Sequence, residues 1–374
     1  MAARSDRLKA GRRLGRYEVV RSLRRDGPFV GYVARAAGAI GFEKRFVLQV
    51  LAPDKDDERL VKALVVEARA AALLEHPNVA AIVDLGRADE DYYLASELVE
   101  GVDLATLMRL VADAPLPVSA VLHVVIAVAG ALQHAHDRAD LGGEALGVLH
   151  LGVCPQVIML RPDGEVKLSG FVVSCARVTA ARGAPKQDFA GLRYAAPELL
   201  AGRALDPRTD VFALGAVLYE LLAGNPCFSG DEAEVRRRIR TGRVTPLSEL
   251  RPGIDPRLEE TVMQCLAVDP ERRPPSADAL RLDLLHLAAS QGLQPSSVAM
   301  RDVLVAHQLD ASSVSLSLAE DGSVSEVLPS SDSHPAVTFT GATAAQDRRP
   351  WWPWLVVAAI ASATATAGWW LSQT

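Results

Sequence analysis

Residues 191–228 read GLRYAAPELLAGRALDPRTDVFALGAVLYELLAGNPCF, and the fold is read outward from them. Within that stretch, TDVFALGAVLYELLAG (209–224) repeats its apolar residues at helical spacing. Similar patterns dominate from about 115 to 290, among them SAVLHVVIAVAGALQHAHDRA (119–139) and RLEETVMQCLAV (257–268). Upstream, residues 16–110 carry strand-type runs, namely YEVV, FVGYVAR, RFVLQVL, AAIVDLG and YYLASELV, interrupted by one helical segment, ERLVKALVVEARAAALLEH (58–76). The expectation is an α+β, bilobal fold, with a small β-rich lobe over about 16–100 and a larger helical lobe over about 101–290, after an N-terminal tail at 1–15.

The chain has 374 residues, 49% hydrophobic and 23% charged, enough to bury one large bilobal domain. Its net charge of -6 excludes the broad positive field on which nucleic-acid affinity rests. The densest basic run, EVRRRIR (234–240), reads either as a solvated helix face or as a patch for an acidic partner. Cys154, Cys175, Cys227 and Cys265 are scattered, with no CxxC pair, so neither a disulfide framework nor a zinc site is expected. MAARSDRLKAGRRLG has no apolar stretch behind it and does not read as a secretory signal, so the domain is expected to remain in the cytoplasm.

Past residue 290 the composition turns to Ser, Thr, Ala and Asp, the pattern of a disordered linker over 291–350 with one short helix near 301–307. RRP then leads into WWPWLVVAAIASATATAGWWLSQT, uncharged from 351 to 371. That length of helix spans roughly 31 Å, close to the hydrocarbon thickness of a bilayer. Trp351, Trp352 and Trp354 at one end and Trp369 and Trp370 at the other fit the two interfacial belts, and Arg348 and Arg349 mark the cytoplasmic side. A single-pass tail anchor in the cell inner membrane is expected; the competing reading is a buried C-terminal helix.

The 191–228 stretch, followed by LAVDPERRPPSADAL (266–280), resembles the large lobe of bacterial Ser/Thr protein kinases: the APE motif, the next helix with its buried Asp, and the closing Arg motif. The resemblance runs over roughly 16–285 and rests on several motifs in order. It implies structural roles for His150 and Phe171, a pair between Glu198 and Arg272 or Arg273, and an Asp210 that braces the catalytic-loop backbone.

Phosphoryl transfer requires a held triphosphate, ligated metal and a positioned hydroxyl. In the glycine-rich segment LRRDGPFVGYVAR, the family's three small positions are Arg24, Asp26 and Phe29, which leaves Gly27 alone. Asp26 repels phosphate, and Pro28 has no N–H to donate. Gln49 stands where the strand lysine belongs, and the helix glutamate survives as Glu67, either retained or rerouted. The catalytic loop, HLGVCPQVIML (150–160), has Gly152 for the catalytic-base Asp, Val157 for the metal-binding Asn and Leu151 for the Arg. In Ser169-Gly170-Phe171, Gly170 replaces the metal-binding Asp, and no metal is expected. The threonine of the family's GT signature is Leu192, and no Ser or Thr lies between Thr179 and Glu198. Losing one electrostatic donor typically costs about 10² to 10³ in rate, and here four are missing.

The resemblance with its chemistry removed implies a pseudokinase, a scaffold or allosteric partner of active kinases or a decoy for their substrates; the alternative is a Ser/Thr protein kinase with residual or unconventional ATP-dependent transfer. Cofactors are not expected, unless ATP or ADP binds without Mg²⁺ through hinge backbone at Ser96-Glu97-Leu98-Val99. A nucleotide cleft would comprise Gly27, Val33, Gln49, Glu67, Glu97 and Val99, although Gly31 and Val47 alter its roof. His123, His134 and His136 share one helix and read as packing residues more readily than as metal ligands. Cys154 has nothing nearby in sequence to lower its pKa, which argues against a substitute nucleophile.

Overall fold

The computed structural model describes residues 8–26, 29–37, 43–51, 58–89, 91–111, 115–139, 142–174 and 189–309. Gly27, Pro28, Cys175, most of the expected linker and the expected span at 351–371 lie outside these residues.

Among the described residues the small lobe is one antiparallel sheet of β1 (Arg13–Leu14), β2 (Tyr17–Asp26), β3 (Phe29–Ala37), β4 (Glu43–Leu51), β5 (Ile82–Ala88) and β6 (Asp91–Glu97), in the order β1-β2-β3-β4-β6-β5. Alternation along the strands gives it two different faces. One carries Tyr17, Phe46, Leu48, Val50 and Tyr93, a cluster in which Tyr17 meets Phe46 and Tyr93 edge-on at 5.3 and 5.7 Å. Gly86 makes room for this cluster, since a Cβ there would come within 2.8 Å of Tyr93 Cε1. The other face carries Val33 opposite Val47, Gly31 opposite Gln49, and Val47 and Gln49 opposite Ser96 and Leu94. Helix α1 (Glu58–Ala71) buries Leu60, Leu64, Ala68 and Ala71, one apolar stripe at helical spacing.

The large lobe forms around α3 (Val118–His136), which follows a short strand β7 (Val102–Asp103) and α2 (Leu104–Leu110). Ten of its residues are buried, from Ala120 to Ala135, because apolar side chains cover most of its circumference. It is also long and apolar enough to cross a membrane, and here it is the core helix. The hairpin of β8 (Ile158–Leu160) and β9 (Val166–Leu168) pairs with β7 and carries the catalytic-loop region. Helix α4 (Pro207–Ala223) starts at a capping box between Asp206 and Thr209 with Pro207 in its first turn, and ends at Gly224, whose φ of 75° closes the helix. Helices α5 (Glu232–Thr241), α6 (Pro256–Cys265), α7 (Ala277–Ser290) and α8 (Ser297–Ala306) complete the lobe.

Two expected boundaries shift. Residues 1–15 were expected to be a tail, whereas β1 pairs with β2 and Leu14 is fully buried. Residues 291–350 are expected to be a linker with one short helix near 301–307; that helix is α8, which starts at Ser297, packs on α3 and buries Met300, Val303 and Leu304, with Leu309 beyond it. In both cases a few apolar side chains in a polar stretch suffice to order it against an existing core.

Candidate functional site

A buried ionic frame runs through the large lobe. Arg273 donates from Nη1 and Nη2 to the two carboxylate oxygens of Glu198 at 2.7 and 2.8 Å, and from Nε to the Ala267 carbonyl at 2.8 Å. Thr209 Oγ1 donates to the same carboxylate at 3.0 Å, and the Arg273 guanidinium lies 4.8 Å from the Phe212 ring centre. Burial would raise the Glu198 carboxyl, but these bonds outweigh it and leave the group below its ordinary value. Asp210, fully buried, accepts from the backbone N–H of His150 and of Leu151 at 2.8 Å each and from His136 Nε2 at 2.9 Å. Burial again opposes ionisation, and again His136 and the backbone donors hold the carboxyl low. This bracing gives Leu151 a φ of 58°, a left-handed conformation that an unconstrained leucine rarely adopts. His150 in turn donates from Nε2 to the Ser169 carbonyl at 2.9 Å and meets Phe171 edge-on at 4.6 Å, while burial keeps its imidazole below the ordinary value. The resemblance implied Asp210 as brace and Glu198 as an ion partner; of the two arginines offered, Arg273 makes the pair.

The frame positions three residues that lack the required chemistry. Gly170 has a φ of 96°, and a Cβ added there would stand 3.2 Å from Val157 Cγ1 and 3.8 Å from His150 Cε1. The two positions that hold metal in the family therefore face one another as glycine and valine. Ser169 is committed elsewhere, its hydroxyl donating to the Val157 carbonyl at 3.0 Å. At Gly152 a built Cβ would lie 2.7 Å from Ser174 Cβ and closer still to the Ser174 hydroxyl oxygen. Ser174 is buried at the end of a helical turn over 171–174, closed by its N–H to the Gly170 carbonyl at 3.0 Å. Sequence reading missed Ser174, since nothing local marks that this turn brings its side chain against Gly152.

Above this floor lies a cleft of about 820 Å³ of open and enclosed space. Gln49, Glu97 and Val99 line it, as do Val47, Ser96, Gly170 and Phe171. Val33 shares the sheet face but is buried and outside the lining, and Glu67 is half-buried on α1, also outside it. Among the described residues Glu67 has no ion partner. Phe29, at a position that is small in the family, is 1% exposed opposite Leu51 in the main core. Glu97 accepts from Lys167 Nζ at 2.9 Å and from the Ala81 N–H at 3.2 Å, so this hinge carboxylate is paired. Lys167 is a residue that the sequence did not single out.

The remaining candidates have structural partners. His123 Nε2 lies 3.0 Å from the Gly164 carbonyl, and the His134 ring meets that of His76 at 5.3 Å, tilted by 35°. In the basic run, Arg236 pairs with Glu232, and Arg237 and Arg238 both pair with Glu234, whose carboxyl these bonds hold down to about 2. Two carboxylates thus face four arginines within the helix, and a net positive charge remains on it. Cys227 and Cys265 are buried thiols, pushed above the ordinary range by burial. Cys154 lines a small second cavity with Gly152, Ser174 and Tyr194, none of whose lining side chains is cationic.

A family model of the protein kinase domain matches residues 31–285. The chain is 35% identical over 291 residues to the tyrosine-protein kinase MasK of Myxococcus xanthus, covering 75% of this chain and 44% of that one. It is 27% identical over 277 residues to the serine/threonine-protein kinase PrkC of Bacillus subtilis, covering 73% and 41%. The match thus spans less than half the length of these curated relatives. The crystal structure of the Mycobacterium tuberculosis PknI kinase domain aligns with a TM-score of 0.58 at 29% identity, over 75% of this chain and 99% of that domain. Motif order, bilobal architecture, the two buried ionic anchors and these alignments agree: the chain belongs to the protein kinase family, among its bacterial Ser/Thr/Tyr kinase homologues.

Proposed function

We propose that this protein is a membrane-tethered pseudokinase that signals by binding, as a scaffold or allosteric partner of active kinases or of their substrates. One observation carries the reading: the base position and both metal positions are Gly152, Val157 and Gly170, and the volume an aspartate would need at 152 is filled by Ser174. Phosphoryl transfer depends on charge stabilisation and on an oriented hydroxyl, and none of these residues can accept a proton or hold Mg²⁺. Meanwhile the Glu198–Arg273 and Asp210 anchors of the large lobe are kept. The uncharged segment 351–371 with its flanking tryptophans supports a tail anchor in the inner membrane, the domain facing the cytoplasm. Truncation after residue 350 should then release the protein from the membrane fraction, and a protein that stays bound refutes the anchor.

The names of the relatives favour a second reading, a Ser/Thr or tyrosine kinase with residual transfer. Incubating the purified full-length chain with radiolabelled ATP and Mg²⁺ or Mn²⁺ separates the two. No label in the chain or in a generic acceptor supports the pseudokinase; transfer that Gln49→Leu abolishes establishes the kinase.

A further inference from the structure

Helix α8 is the last described element, and its first turn rests on the tip of the β8–β9 hairpin. That tip, residues 161–165, is closed by the Arg161 N–H on the Glu165 carbonyl and the Gly164 N–H on the Arg161 carbonyl, 2.8 Å each. Gly164 has a φ of 84°, and a Cβ built there would run into the Ser297 carbonyl oxygen and stand 2.8 Å from the Arg301 nitrogen. Tip and helix therefore meet backbone to backbone, at a spacing that only glycine permits. From the other side His123 of α3 donates from Nε2 to the Gly164 carbonyl at 3.0 Å. The helix itself is seated on α3 by Met300, Val303 and Leu304, so α3 and α8 grip one tip between them.

The same hairpin reaches the joint between the lobes. Asn78 donates from Nδ2 to the Val166 carbonyl at 2.8 Å, the Leu168 N–H to the Asn78 carbonyl at 2.8 Å, and the Ala80 N–H to the Leu168 carbonyl at 2.9 Å. Lys167, between them on β9, holds Glu97 at the end of β6. At the base of the hairpin the Ser169 N–H donates to the Val157 carbonyl at 2.9 Å, beside Gly170. Both connections to the small lobe thus converge on β9, whose tip α8 grips. A ten-residue helix is marginal in water on its own, so α8 keeps its order only while docked. Elements of that kind open at lower free energy than the core, and switching elements are drawn from them. We propose that α8 is a regulatory clamp: docked, it fixes the hairpin tip and, through β9, residues 78–80 and the hinge at Glu97; drawn off α3 when the segment after Leu309 is engaged, it lets that joint loosen. Such a clamp acts on a chain that transfers phosphate as on one that does not, so it stands apart from the scaffolding reading.

Contiguity becomes coupling only where releasing one end loosens the other, which hydrogen exchange reads directly. Asp302 is exposed in the interior of α8, and its side chain pairs with Arg301. Asp302→Pro breaks the helix there and leaves every residue of the hairpin in place. In the purified full-length chain in detergent, it should speed exchange at 158–168, 78–80 and 96–98 at least about tenfold more than in α4, which reports global stability. Asp302→Ala, which loses the Arg301 pair and keeps the helix, should match the native chain. An increase confined to 297–309 overturns the proposal, as does one equal in α4 and the hairpin, or an Asp302→Ala chain that behaves like Asp302→Pro. Should Asp302→Pro not fold, Ser296→Ala removes only the helix cap and should give the same order of effects at about threefold to fivefold, with the same outcomes overturning it.

Discussion

Glu198 and Arg273 are each 4% exposed and joined by two short hydrogen bonds, so removing one partner strands a charge in the core. Arg273→Met should cost about 3 to 5 kcal/mol, read as a shift of the urea midpoint, and adding Glu198→Gln should recover part of that loss. A second expectation concerns Gly152. Because a Cβ there runs into Ser174, Gly152→Asp should destabilise by about 1 to 3 kcal/mol and restore no transfer, while adding Ser174→Gly should relieve the strain and still restore none. Equal stability of the native chain and Gly152→Asp would show that the space is open. At this scale the sequence made the substitutions at Gln49, Gly152, Val157 and Gly170 legible, since each sits at fixed spacing from a retained neighbour such as His150 or Phe171. It did not show Ser174 against Gly152 or His136 on Asp210, which are approaches made by the folded chain; the His136 and Asp210 pair is separated by 74 positions.

Helix α8 illustrates how an element is won from a polar stretch. Ser296 caps it through a bond to the Ala299 N–H at 3.4 Å, and Met300, Val303 and Leu304 fall on one face, against α3. Leu304→Ala should therefore cost about 2 to 3 kcal/mol in chemical denaturation, whereas the exposed Val298→Ala should be close to neutral. Equal effects would place α8 outside the cooperative unit. Long periodic elements such as α1, α3 and α4 were readable because their spacing repeats over several turns. Two-residue β1 was not, because its order comes from the surface it lands on, and ten-residue α8 was legible as a short helix near 301–307 but not in its start at Ser297 or its packing.

For the molecule as a whole, the buried His150 and the half-buried His76 and His123 set the acid limit of stability. His76, His123 and His150 all lie below their ordinary value, chiefly because burial disfavours the charged ring. The unfolded chain takes up protons near pH 6.5 and the folded one does not, so this contribution is complete above about 6.5 and declines as pH falls through the lower folded values. Asp210 and Glu198, both held low, act with the same sign further into acid, their contribution present above about 4 and lost below it. Glu220 opposes them, because burial raises its carboxyl beside Tyr194 and its cost disappears on protonation. With three imidazoles against one carboxylate, the melting temperature should fall from about pH 7.5 to about pH 5.5, and a flat or rising calorimetric profile would contradict the assignment.

The Glu198–Arg273 and Asp210 anchors of a kinase large lobe are present, and the proposed loss of transfer rests on Gln49, Gly152, Val157 and Gly170 standing where the family holds triphosphate, base and metal. Metal binding is the part of the account most open to direct measurement. Electron paramagnetic resonance of free Mn²⁺ with ATP should be unchanged when the full-length chain is added in excess. An ATP-dependent loss of that free-ion signal, reversed by Gln49→Leu, would mean that the cleft assembles a metal–nucleotide site after all.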